Sequence, residues 1–283
     1  MGKKLSVLGT ITAAADTDAL LAETGNGGKR ILRPHILNIA VEGNAGAHNA
    51  IYRGKYLGNT VSVEAYAAIN AGTFDPADTA GLFIGDYWTI SGVSYRIAAF
   101  DYWLHCGDTE CTKHHVVLVP DAALYSAPMN SSNVTTGAYV GSAMYTSGLS
   151  GAKSTINSAF GSGHVLNHRE YLTNAVSSGY ASAGAWYDST VDLMNENMVY
   201  GSAHFRPQNY LGATIPNTHT IDKSQLPLFQ HDHSRITIIR TWWWLRDVVL
   251  STSFAASDGS GYSGTNNASI SSGVRPAFAI CAA

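Results

Sequence analysis

Apolar and polar positions divide this chain into short segments, and the clearest lie at its C-terminal end. Trp242 to Val249 is an aromatic and β-branched run, and Val274 to Ile280 alternates as a half-buried strand does. Between them, Leu250 to Ser272 carries turn residues at nearly every step, including Asp258-Gly259, Ser260-Gly261, Ser263-Gly264 and Asn266-Asn267. The pattern predicts two strands enclosing an irregular polar tract. Such a tract on a rigid scaffold is either a recognition face or an ordinary surface loop.

Upstream, Tyr87-Trp88-Thr89-Ile90 and Val93-Ser94-Tyr95-Arg96-Ile97 flank Ser91-Gly92 and predict a β-hairpin over Ile84 to Phe100. Val116 to Val119 is a continuous apolar strand stopped by Pro120-Asp121. Helices are predicted over Thr60 to Asn70, with Thr60 as N-cap and Gly72 past the end, and over Ala152 to Phe160, ending at Gly161. Two more follow from capping-box spacing: His168 to Val176 after Asn167, with Glu170 three residues on, and Ser189 to Met198 from Ser189-Thr190-Val191-Asp192. Residues 1 to 50 differ. A short helix around Ala13 to Ala22, a break at Gly25-Asn26-Gly27-Gly28 and an extended arm from Ile31 to Val41 hold too little apolar material for a core, so they form an attachment or oligomerisation segment, or else an N-terminal strand of the main domain. The remainder, residues 51 to 283, forms one domain, with residues 240 to 280 as its display region. The fold class is α+β, with strands at both ends and helices between.

Composition narrows the function. The 283 residues are only 13% charged, with a net charge of −3, and no basic stripe is present beyond Lys3-Lys4 and Lys29-Arg30. Nucleic acid is therefore not an expected partner. No apolar run reaches the length of a membrane span, and Thr10, Thr12, Asp16 and Asp18 interrupt the basic start, so neither a membrane anchor nor a secretory signal is expected.

Chemistry-bearing clusters are few. His105, Cys106, Cys111, His114 and His115 offer zinc-type ligands, but Cys-x4-Cys-x2-His-His is a loose match, and adjacent His114 and His115 point to opposite faces of a strand. A metal held by Cys106, Cys111 and His114, a local disulfide, and free thiols all remain open. An odd total of three cysteines argues against a disulfide scaffold. His231-Asp232-His233 reads as a surface turn. Gly259-Ser260-Gly261-Tyr262-Ser263-Gly264 matches a dinucleotide-binding string, yet too little chain follows it to complete that unit, so no cofactor is expected. Asp188, Glu196 and Asp247 read as structural carboxylates, and Arg246 and Arg275 as holders of buried carbonyls or of Asp247. Trp242, Trp243 and Trp244 cannot all be buried on one side, so at least one should face outward.

Trp243-Trp244-Leu245-Arg246-Asp247 and Gly273-Val274-Arg275-Pro276-Ala277-Phe278 resemble the ends of C-type-lectin-like domains in structural proteins of bacteriophages and prophages. That group includes variable proteins of the major tropism determinant type, diversified by a retroelement. The resemblance extends through Ile51-Tyr52-Arg53-Gly54-Lys55, Ile84-Gly85-Asp86-Tyr87-Trp88, His114-His115-Val116-Val117, Ala185-Trp186-Tyr187-Asp188 and Ile221-Asp222-Lys223-Ser224-Gln225, covering roughly Ile51 to the end. It implies a C-type-lectin-like domain in a non-enzymatic virion protein, made in the host cytoplasm. It also implies a homo-oligomer, with a trimer expected, joined to other virion proteins through residues 1 to 50. The ligand would be a bacterial surface receptor or glycan, met by Phe254, Ser257, Asp258, Ser260, Tyr262, Ser263, Asn266, Asn267 and Ser271, with Leu250 and Ser253 at the margin. The alternative is a capsid or tail decoration protein without a dedicated ligand. Calcium-dependent sugar binders of that fold carry Glu-Pro-Asn and Trp-Asn-Asp triplets, and this chain has neither.

Overall fold

A computed structural model describes residues 45–177, 180–202, 204 and 225–283, together with the short strands Ala22–Glu23 (β1) and Lys29–Arg30 (β2), which pair antiparallel. Ala22, expected at the end of a helix, is thus in a strand. The rest of that expected helix and the arm from Ile31 to Val41 lie outside the described residues.

The main body is mixed α+β, mostly sheet. Helix α1 (Ala45–Asn49) already belongs to it: His48 is buried, donates from Nδ1 to Leu82 O at 2.6 Å and stacks on Phe83. Asn49 bonds both the carbonyl and the N–H of Phe100, as a strand residue would. The boundary expected at residue 50 therefore falls inside the domain. Strand β3 (Tyr56–Gly58) leads to helix α2 (Val63–Asn70), capped by Ser62, whose hydroxyl accepts from Ala65 N. The cap sits two residues beyond the expected Thr60.

Strands β4 (Tyr87–Ile90) and β5 (Val93–Phe100) form the expected hairpin, turning at Ser91 and Gly92, both with positive φ. Two positive φ values in a two-residue loop match the right-handed twist of the flanking strands. Strand β6 (Val116–Pro120) is buried at every position. Its continuous apolar run follows from its central place in the larger sheet. Strand β7 (Tyr125–Ala127), a π-helical turn and helix α3 (Ser150–Phe160) come next; α3 ends at Gly161, whose φ of 83° suits glycine.

From here the expectation and the structure part. Residues His168–Ser177 form strand β8, not a helix, and pair antiparallel with β9 (Tyr180–Ser189). His168, Glu170 and Leu172 point inward while Arg169 and Tyr171 are half-buried, a period of two. Two of the three inward residues are polar, so the alternation does not appear as an apolar pattern. The expected helix over Ser189 to Met198 is also replaced: Ser189 does bond the Asp192 carboxylate, but within a turn into strand β10 (Val191–Leu193). The helix, α4 (Glu196–Tyr200), begins later, where Asn195 Oδ1 accepts from Met198 N at 2.7 Å.

Helices α5 (Pro227–His231) and α6 (Ser234–Thr237) precede the C-terminal strands β11 (Trp243–Leu250), β12 (Ser253–Ser257), β13 (Ser263–Asn267), β14 (Ser272–Val274) and β15 (Pro276–Ile280). Two sheets result. One has the order β10-β15-β6-β5-β4-β3, the other β13-β12-β11-β14-β7. The N-terminal β3 and C-terminal β15 lie in the larger sheet but do not pair with each other: β15 pairs with β10 and β6. The chain changes sheets between β14 and β15, at Arg275. One continuous core fills the space around both sheets, anchored by Trp88, Trp243, Trp244, Tyr95, Phe254 and Phe278.

A buried polar chain crosses that core. Arg246 Nη2 donates to Glu170 Oε1 at 2.6 Å and Nη1 to Leu193 O at 3.3 Å, while Tyr139 Oη donates to Asp192 Oδ1 at 2.8 Å. Arg246 thus holds a buried carbonyl, as expected, together with the Glu170 carboxylate.

Candidate functional site

The tract from Leu250 to Ser272 is not irregular. Strands β11, β12 and β13 form an antiparallel meander, with Trp243 opposite Ser257, Phe254 opposite Asn266 and Ala256 opposite Gly264. Glycine, serine and asparagine have low strand propensity, so their pairing depends on the aromatic and β-branched β11 beside them.

This meander corrects the expected contact set. Phe254, Ser253 and Ser257 are buried and are not displayed, because β12 is covered on both faces. Ser263 and Asn266 are half-buried and turn toward internal partners: Ser263 Oγ donates to Glu196 Oε1 at 2.8 Å and Asn266 Nδ2 to Ser272 Oγ at 3.0 Å. The exposed candidates fall at opposite ends of the meander. Ser260 and Tyr262, with half-buried Asp258, occupy the β12–β13 loop, while Leu250, Asn267 and Ser271 lie at the other end. Strands of five residues separate the ends by about 17 Å.

The loop end is stiff. Asp258 Oδ1 accepts from the N–H groups of Ser260 (2.8 Å) and Tyr262 (2.9 Å), Asp258 N donates to Tyr262 O, and Gly261 N donates to Asp258 O. These bonds make an aspartate-centred turn closed at both ends. Gly261, at φ 84°, sits against Thr237, and a Cβ at Gly259 would lie 2.8 Å from the Arg240 carbonyl oxygen. The side chain presented is Tyr262, 72% exposed. Nearby, Trp242 is 42% exposed and lies over Gly264, where a Cβ would come within 3.0 Å of the indole. Trp243 and Trp244 are buried, so one of the three tryptophans faces outward as expected.

The opposite end has different chemistry. Leu250 (47% exposed), at the end of β11, meets Ile270 (46%) and Val134 (46%) from two separate loops. These segments are tied together: Thr135 bonds the carbonyls of Leu250 and Ser251, and Ser269 donates to Asn133 Oδ1 at 2.7 Å. Val134 was invisible to sequence reading because it lies more than a hundred residues from the tract.

The histidine and cysteine cluster does not assemble. Cys106 and Cys111 are buried and not joined in a disulfide, and burial pushes the Cys111 thiol up, which keeps it protonated. His114 Nδ1 instead meets Asp101 Oδ2 at 2.7 Å. His115 faces the opposite way and is buried. It accepts the Trp103 N–H at Nε2 (3.0 Å) and therefore donates from Nδ1 to Lys113 O (2.9 Å). Among the described residues, no group of three His, Cys, Asp or Glu side chains is placed to hold a metal. A cavity of about 350 Å³ opens between Thr109-Glu110-Cys111 and the start of β8. Its Arg169 is already paired with Asp108 at 2.7 Å and Asp188 at 3.3 Å. Of the other carboxylates, Asp247 Oδ2 accepts the N–H of Glu196 at the start of α4, and Glu196 Oε2 accepts that of His204. In His231-Asp232-His233, Asp232 accepts from Tyr52 Oη and Arg235 Nε, both at 2.8 Å, which anchors the turn to the domain.

Comparison with known proteins found no matching family, no matching characterised protein and no matching solved structure.

Proposed function

We propose that this chain is a non-enzymatic phage virion protein whose C-type-lectin-like domain binds a host-surface receptor or glycan through the β12–β13 loop. The carrying observation is Tyr262, 72% exposed on a loop whose backbone the Asp258 carboxylate locks. A pre-ordered aromatic gives contact area with little entropy to lose on binding, and the neighbouring indole of Trp242 extends that surface. The resemblance of the Trp-Trp-Leu-Arg-Asp and Gly-Val-Arg-Pro-Ala-Phe segments supports the virion assignment. So does the arrangement that puts strands from both ends of the domain into one sheet. Among the described residues no helix is long and apolar enough to cross a membrane.

The aliphatic end favours a second role for the same domain. Val134, Leu250 and Ile270 suit a contact with another copy, in keeping with a homotrimer, or with a neighbouring virion protein as in a decoration role. The test is adsorption by particles carrying Tyr262→Ala. Assembly should be intact and adsorption should fall by at least about tenfold, the effect of losing an aromatic anchor. Full adsorption by Tyr262→Ala and by Trp242→Ala would overturn the recognition reading, and fragile or incomplete particles would favour decoration.

A further inference from the structure

The chain changes sheets at Arg275, and the side chain there is fully buried. Its Nε donates to Pro120 O at 2.8 Å, but Nη1 and Nη2 have no hydrogen-bond partner. The guanidinium packs 5.0 Å from the centre of the Trp243 ring and 5.5 Å from that of Phe229. Trp243, also fully buried, has an unpartnered Nε1, and the hydroxyl of Tyr200, on α4, is a third buried group without a hydrogen bond. Tyr200 and Arg275 act on each other electrostatically. Ser257, close to the phenol, also donates to Asp258 O at 3.5 Å.

All three groups can donate, and the nearby acceptors are engaged. Asp121 binds Arg96 at both carboxylate oxygens, at 2.8 and 2.5 Å. Asp258 holds its own loop, and Glu196 is taken by Ser263 and His204. Arg96 and Arg235 add like charge around Arg275, and Asp121 supplies the opposing charge. Burial lowers the Arg275 pKa to about 10, with Asp121 opposing, so the group stays charged at neutral pH. An uncompensated buried cation is costly unless something neutralises it.

We infer that a small monovalent anion such as chloride binds between Arg275 Nη1 and Nη2 and Trp243 Nε1, at the junction of the two sheets. The anion would complete the hydrogen bonds of a buried donor set and offset its charge. It lies behind β12, whose Ser257 leads into the Tyr262 loop, and so stiffens the base of the display end. The inference does not depend on the recognition role.

The test uses the full wild-type chain. Unfolding is followed in sodium chloride, bromide and gluconate at matched ionic strength, and crystals soaked in bromide are measured at the bromine absorption edge. Chloride and bromide should raise Tm over gluconate by about 5 °C or more at a hundredfold excess over Kd. An anomalous peak should lie within hydrogen-bond reach of Arg275 and Trp243. Trp243→Phe, which keeps the ring packing and removes the donor, should weaken the halide dependence several-fold while the protein remains folded. Equal Tm in all three salts with no anomalous peak would overturn the inference and leave water as the partner of these groups. If Trp243→Phe fails to fold, the wild-type halide and anomalous measurements decide alone.

Discussion

Phe254→Ala separates the sequence expectation from the structure most sharply. As a displayed contact residue, Phe254 could be truncated with loss of ligand and little loss of stability. In the structure its ring is fully buried, on a strand flanked by β11 and β13 and covered on both faces. A buried aromatic removes roughly 150 Å² or more from water. At about 25 cal/mol per Å², that is worth about 3–4 kcal/mol. Truncation keeps Cβ but leaves a cavity that the paired strands cannot close, so the expected cost is about 3–5 kcal/mol. For a domain of this size, that lowers Tm by on the order of 10 °C. Urea and thermal unfolding of Phe254→Ala would measure the loss, with Tyr262→Ala as the surface control, expected within about 0.5 kcal/mol of wild type. A Phe254→Ala protein as stable as wild type would refute the burial of Phe254 in β12.

Other consequences are checked more briefly. Asp258→Ala frees the N–H groups of Ser260 and Tyr262, so it should leave global stability within about 1 kcal/mol while weakening ligand binding, because the loop must then be ordered on contact; proteolysis within 258–262 should accelerate, and unchanged cleavage would argue against an aspartate-held loop. His115 gives a pH dependence: burial, opposed by the Lys113 carbonyl and Asp101, holds its pKa near 4 against an ordinary 6.5. The unfolded chain therefore takes up the proton first as pH falls, and the stability this residue contributes is complete above pH 6.5 and lost on the way down to pH 4. Between pH 7.5 and pH 5 the loss is about 2 kcal/mol. Urea midpoints of wild type and His115→Gln at the two pH values should differ in slope by that amount, and parallel slopes would contradict a neutral buried imidazole.

The legible parts of the fold were those whose partners lie close in sequence. The Ser91-Gly92 hairpin, the apolar β6 run and the Gly161 end of α3 follow from local residue chemistry, and each stands where expected. Strand β8 was hidden because its inward positions include His168 and Glu170, stabilised by groups seen only in the folded state. Burial opposes ionisation of Glu170, but the Arg246 charge and His168 outweigh it and bring its pKa to about 2. A polar residue that becomes interior through a partner 76 positions away leaves no mark in a hydrophobic pattern. The tract misled for the opposite reason: its serines and glycines have loop chemistry, and only the neighbouring Trp-rich strand makes them a sheet. Tyr262 was legible because Asp258, Gly259 and Gly261 announce a tight turn around an aromatic, whereas Val134 needed the tertiary contacts of Thr135 and Asn133.

The meander also limits how a surface of this design can vary. Of the eleven candidate positions, Ser253, Phe254 and Ser257 pack inside, and Ser263, Asn266 and Asp258 make hydrogen bonds that hold the local frame. Substitution at these six trades affinity against folding. Ser260 and Tyr262 at one end, and Leu250, Asn267 and Ser271 at the other, are exposed and can change at little cost to stability. A small ligand cannot touch both ends, which stand about 17 Å apart. On the proposed recognition role, a small epitope would meet Tyr262, Ser260 and Trp242, and the aliphatic end would be left to a larger protein surface. A protein diversified over the whole tract would keep its fold only if variation at the inner positions stayed small and apolar or preserved the hydrogen bonds now made there.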